Sequence, residues 1–251
     1  MSSIAISAAV VVFAFGGVLF GMFLRSLLPQ DHLSADLKDI AKVALGIVAT
    51  ISALVLSLLL STAKASYDAR GSELVELSAN ILLLDRVLAY YGPEASDARS
   101  QLRAAVIEAI GRFWPSDDAA AIGFSPNTPE VEMLHDRIGH LRAETEGQHT
   151  LRLRGLQLVA EISRSGFLLA SHGPHSIPLP FLIVLILWLT VIFTGLGLFA
   201  PVNLTAIIIF LICALSAAGA IFLILELDDP FVGIIWLPDT PLQLVLTHLD
   251  R

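Results

Sequence analysis

Four runs of nearly unbroken apolar residues, 4–24, 43–61, 181–199 and 204–225, punctuate the chain. Each has about the 20 residues that a helix needs to cross a hydrocarbon layer of roughly 30 Å. Between the second and third runs the hydrophobic density drops while the helical period persists. Leu74, Leu77, Ile81, Leu84, Leu88 and Tyr91 recur at spacings of three and four, which carries the second span onward as an amphipathic helix, a rigid lever ending at Gly92-Pro93. Residues 96–114 predict a helix with Leu102, Val106, Ile110 and Phe113 on one face, closed by Pro115 and the loop SDDAAAIGFSPNTP. Pro129, at a favoured first-turn position, opens another helix running to about Glu146, and 148–169 supplies a fourth before the breaker HGPHSIPLP. No β-like alternation of useful length occurs. The expected fold class is therefore all-α: a polytopic membrane protein with four transmembrane helices and an extramembrane helical bundle between the second and third. Its segments are a first hairpin (1–63), the helical domain (64–176), a second hairpin (177–226) and a tail (227–251) that is acidic at first and amphipathic over 242–249, with Trp236 as an interface anchor.

The connections sharpen this. In RSLLPQDHLSADLKDIAK, Pro29 breaks the first helix, Ser34 or Asp36 caps the next, and His32 reads as a solvated loop residue. The first charge, Arg25, follows the first apolar run instead of preceding it, so that run reads as a retained helix and not a cleaved leader. Gly17 and Gly21 have the small-xxx-small spacing that lets a second helix approach, and Ser216, Ala217, Ala218, Gly219 and Ala220 make the fourth span slim. Asn203-Leu204-Thr205 matches a glycosylation sequon but lies too close to the apolar runs to count as one.

The second span carries an ordered set of hydroxyls. At about 100° per residue, Thr50, Ser57 and Ser61 share one stripe with Val43, Ile47 and Leu54. Lipid tails do not call for hydroxyls. The seam either packs on another helix, its hydroxyls bonding back to their own backbone, or faces a water-filled path lined by Ile47, Thr50, Leu54, Ser57 and Ser61. At the end of the fourth span Glu226, Asp228 and Asp229 crowd three carboxylates into four positions before Pro230. Negative charge at a helix C-terminus opposes the macrodipole, so a compensating partner is expected. A salt bridge to Lys64 or Arg70 is the structural choice, a bound cation such as calcium the alternative, and plain solvation the third.

Composition agrees with a membrane protein: 251 residues, 55% hydrophobic and 15% charged, with mean hydropathy +0.77. A formal net charge of -8 argues against a nucleic-acid partner or a polybasic lipid-binding surface. The single cysteine, Cys213, excludes an intrachain disulfide and a cysteine zinc site. No dinucleotide, phosphate-loop, hydrolase-elbow or zinc-protease motif occurs. Glu132 and His135 give one Glu-x-x-His, where di-iron bundles use two, and His172 and His175 flank Gly173-Pro174 with no carboxylate close in sequence. No catalytic residue, metal ligand or cofactor is assigned, calcium at the acidic cluster being the sole alternative.

RSLLPQDHL after the first span, STAKASYDAR leaving the second, the APVN turn and ILELDDPFVGIIWLPDTPL after the fourth resemble the bacterial bestrophin-like family. The resemblance spans nearly the whole chain and is most specific at Glu226, Leu227, Asp228, Pro230, Phe231 and Gly233. A more distant likeness is to true bestrophins, four-span pentameric anion channels whose second helix lines the pore and whose animal members carry a calcium clasp after the last span. In this chain Val232 separates Phe231 from Gly233, the acidic residues precede Pro-Phe, and 43–61 contains no phenylalanine for an aromatic neck. The resemblance implies a homo-oligomer, a pentamer by analogy, in the bacterial inner membrane, with inorganic anions permeating and the helical domain cytoplasmic. The charge rule does not endorse that placement: Arg25, Lys38 and Lys42 lie in a short connection, against Lys64, Arg70 and Arg164 on the domain side, and short connections count for more. The expected function is an oligomeric ion channel. The alternative is a non-conducting membrane scaffold or sensor whose helical domain binds a partner.

Overall fold

The computed structural model describes residues 3–28, 35–114, 129–171, 179–228, 231 and 233–249. Pro29, His32, Ser34, the 115–128 loop, His172, His175, Asp229 and Pro230 lie outside them. Among the described residues there is no strand, and the helices are α1 (Ser3–Leu27), α2 (Ala35–Tyr91), a 3-10 turn (Pro93–Ala95), α3 (Ser96–Phe113), α4 (Pro129–Gly139), α5 (Glu146–Ser171), α6 (Leu179–Phe199), α7 (Leu204–Asp228) and α8 (Thr240–Leu249). α1, α2, α6 and α7 are each long and apolar enough to cross a membrane. The chain divides into two compact units, one of Met1–Ser66 with His175–Asp229 and one of Tyr67–Pro174 with Pro230–Arg251, so α2 contributes to both.

In the first unit α1 packs along α6 and α7. Glycine makes the α1–α6 contact possible. A Cβ on Gly21 would meet the Thr194 carbonyl and lie 2.8 Å from the Leu198 nitrogen, one on Gly17 would lie 2.9 Å from Thr194 Oγ1, and one on Gly197 would lie 2.9 Å from Val18 Cα. The two helices therefore touch backbone to backbone, as the spacing of Gly17 and Gly21 predicts. Thr190 and Thr194 donate their hydroxyls to the Ile186 and Thr190 carbonyls, each at 2.7 Å, so neither is an unpaired donor in lipid. On α7 it is Ala214 and Ala218 that are buried, while Ser216 and Gly219 face outward, so only part of the slim segment serves packing. Asn203 caps α7, its side-chain oxygen accepting from the Ala206 nitrogen at 2.8 Å.

The second unit buries the periodic residues of α2, Leu74, Leu77, Ile81, Leu84, Leu88 and Tyr91, against α3, α4, α5 and α8. Arg99 of α3 forks onto Asp85 of α2 with bonds of 2.7 and 3.2 Å, and that pairing raises the guanidinium pKa above its ordinary value. α4 stops at Gly139 and not near Glu146. A capping box then starts α5: the Gln148 nitrogen donates to Thr145 Oγ1 at 3.2 Å and Gln148 Oε1 accepts from the Thr145 nitrogen at 3.3 Å. Phe231 packs on Phe113 and Trp114, with ring centroids 5.2 and 5.8 Å away, and the Trp114 indole donates to the Leu237 carbonyl at 2.9 Å. Gly233 has φ +119°, a conformation that a side chain would strain. The motif that carries the family likeness thus owes Phe231 to packing and Gly233 to backbone geometry.

Candidate channel-lining face of the second membrane helix

The part of α2 within the first unit presents two opposite faces. Ser52, Leu59 and Ala63 are buried, flanked by the half-buried Leu45, Val48, Val55 and Leu56. With about 100° of turn per residue, this stripe lies roughly 180° from the one holding Ile47, Thr50, Leu54, Ser57 and Ser61. All five of the latter are exposed, Ile47 at 57% and Leu54 at 67%. The hydroxyl seam therefore packs on no other helix of its own unit. In the most apolar stretch of α2, 11% of the residues are buried, against 22–28% in the other three spans.

Hydroxyls occur on both faces, and Thr50 of the seam bonds as Ser52 of the buried face does. Thr50 donates to the Gly46 carbonyl and Ser52 to the Val48 carbonyl, each at 2.8 Å. Back-bonding satisfies the hydroxyl hydrogen and leaves the oxygen lone pairs and the residue's small size free on the exposed side. Ala53, beside the seam, is exposed too. The hydroxyl pattern alone misses it, whereas a search for small residues three and four positions from Thr50 and Ser57 finds it. No charged side chain occurs between Val43 and Ala63, so the polar side chains of this face are its hydroxyls.

The remaining candidates are dispersed. Glu226 and Asp228 are buried near the C-terminus of α7, and both are engaged in polar or electrostatic interactions. Asp229 lies outside the described residues. Glu132 and His135 are exposed on α4. Among the described residues no group of three His, Cys, Asp or Glu side chains is placed to hold a metal ion.

A family model described as the bestrophin-like domain matches residues 11–242. The chain belongs to the bestrophin-like family. Solved structures of two variants of a bacterial bestrophin homologue from Klebsiella pneumoniae share its fold, with TM-scores of 0.65 and 0.68 at 15% and 14% identity. These alignments cover 98% and 95% of this chain and 97% of each of those. A crystal structure described as a membrane protein aligns over all of this chain and 96% of its own, with TM-score 0.58 and 16% identity. Comparison with curated proteins returns no match. Four apolar helices and membership of this family make the chain an integral membrane protein.

Proposed function

We propose that this bestrophin-like protein is an oligomeric ion channel in which α2 of each copy lines a central pore with Ile47, Thr50, Leu54, Ser57 and Ser61. One observation carries the reading. The hydroxyl-bearing face of a membrane helix is turned away from every other helix of its own unit and is exposed along its length. A face of that composition suits contact with water more than contact with lipid tails. In a ring of copies, Thr50, Ser57 and Ser61 solvate a permeating ion, while Ile47 and Leu54 form apolar constrictions that close by dewetting. Family membership supports conduction, and the bestrophin homologue's fold supports assembly into a homo-oligomer, with five copies the favoured number. Anions are the favoured permeant species, and the bacterial inner membrane with the helical domain in the cytoplasm is the favoured placement. The segment division at residues 63, 176 and 226 belongs to the same reading. No catalytic step is assigned to any residue.

Replacing Thr50 and Ser57 together by leucine and recording the purified protein in planar bilayers tests the assignment. The expected result is loss of conductance. Unchanged conductance removes these residues from the pore. Glu226 and Asp228 are read as carboxylates compensated by the protein's own basic groups and not by calcium. Adding calcium or a chelator is accordingly expected to move the melting temperature by less than about 1 °C, since a tightly bound ion would raise it by mass action.

A second reading, a partner-binding membrane scaffold, draws on the helical unit. α4 and α5 border a groove of about 640 Å³ lined by Glu132, His135, Asp136, Arg164 and Phe167. A monomer in detergent with no conductance favours it, because a single copy has no central axis.

A further inference from the structure

Beside the hydroxyl seam, on a different face of α2, lies an open groove of about 550 Å³ between α2, the end of α6 and the start of α7. Its walls are almost wholly apolar: Gly46 and Ala49 of α2, Phe199 of α6 and Phe210 of α7. Lys38 and Lys42 also line it, three and two helical turns before Ala49 and thus toward the N-terminal end of the span. That end is the membrane edge, since α6 finishes at Phe199 and α7 begins at Leu204. Ala200 belongs to the same wall, and its carbonyl accepts from the Arg25 guanidinium, which brings a third cation to this end. Asp39 pairs with Lys42 at 2.9 Å, but both side chains are well exposed, so the pair is weak and screened. Among the described side chains, Lys38, Lys42 and Arg25 against Asp39 leave this end of the groove net positive.

A trough that is apolar along its length and cationic at its membrane-edge end is complementary to one kind of molecule, an amphiphile with an acyl chain and an anionic head. We infer that the groove holds an anionic phospholipid, one acyl chain lying along Gly46, Ala49 and Phe210 and the phosphate meeting Lys38 and Lys42. The volume falls within the roughly 300–1,000 Å³ of ordinary small-molecule sites. Gly46 is the floor of the trough: a Cβ added there meets nothing within 4 Å, so the space beside it is open. The site lies within one unit and does not depend on conduction.

Full-length protein taken from bilayers of equal phosphatidylglycerol and phosphatidylcholine, then analysed by native mass spectrometry, tests this. The wild type is expected to retain the anionic lipid roughly tenfold over the zwitterionic one, two lysines near a surface and one partial neutralisation setting that scale. The double variant Lys38→Ala/Lys42→Ala is expected to bring the ratio near one, and Gly46→Leu to reduce retention of both lipids. Arg86→Ala, an exposed cation of the other unit, is expected to leave the ratio unchanged. Equal retention of the two lipids by the wild type overturns the inference. So does Gly46→Leu altering the number of copies per particle while lipid retention stays the same, which assigns the groove to a second copy. An Arg86→Ala effect as large as that of the lysine pair reduces the preference to bulk charge and overturns it too.

Discussion

One helix, α2, lives two different lives. Its C-terminal half buries Leu74, Leu77, Ile81, Leu84, Leu88 and Tyr91 in the helical unit, and Asp85 is held by Arg99. Among its described side chains the membrane half buries Ser52, Leu59 and Ala63 and leaves Ile47, Thr50, Leu54, Ser57 and Ser61 open. Both halves follow the same three-and-four spacing. The difference teaches that periodicity tells which residues share a stripe, while what covers the stripe is settled by the rest of the chain or by another molecule.

Two truncations of identical chemistry give the largest contrast. Leu84→Ala empties a site with 0% exposure, and the expected cost is about 2–5 kcal/mol, read as a fall in denaturation midpoint. Leu54→Ala removes the same atoms from the open face, and the expected change stays within about 0.5 kcal/mol. Comparable losses at both positions would erase the distinction between the halves.

Arg99→Ala comes next. It leaves the Asp85 carboxylate, 8% exposed, without its fork. Arg99 is itself one-third exposed, so the expected cost is about 2 kcal/mol, below the range for a fully buried pair. Thr50→Leu with Ser57→Leu is expected to change stability by less than about 0.5 kcal/mol, because no neighbour within the chain is displaced. A melting temperature that drops with the conductance would mean that the seam is a packing surface.

The smallest effect concerns Tyr91. Its phenol is buried without a hydrogen-bond partner among the described residues, and burial pushes its pKa above the ordinary value of 10.0. The folded state therefore prefers the neutral phenol. This contribution is fully present below about pH 10 and is lost as pH climbs through the raised value. Melts between pH 8 and 11 are expected to show an alkaline decline that Tyr91→Phe flattens, and a decline unaltered by the variant would assign it to another group.

Most of the helical architecture is legible in the residues. Four apolar runs correspond to four spans, and the break at Gly92-Pro93 ends α2 at Tyr91. The boundary between α4 and α5 is not registered by apolar spacing, though Thr145-x-x-Gln148 carries the capping-box signature that starts α5. Asn203 stands in a sequon and caps a helix in the fold. Gly17 and Gly21 announce a close approach but not its partner, which Thr194 and Gly197 of α6 supply. At the candidate site the phase of the seam can be read from spacing. Its exposure cannot, since that depends on α1, α6 and α7 gathering on the opposite side of α2, around Leu59 and Ala63.

Imaging the purified assembly in lipid at side-chain resolution tests the central claim most directly. The account predicts a symmetric ring in which Thr50, Ser57 and Ser61 of every copy face a continuous opening along the axis. Those side chains turned to lipid or wedged against a neighbouring copy, around a closed centre, would contradict it.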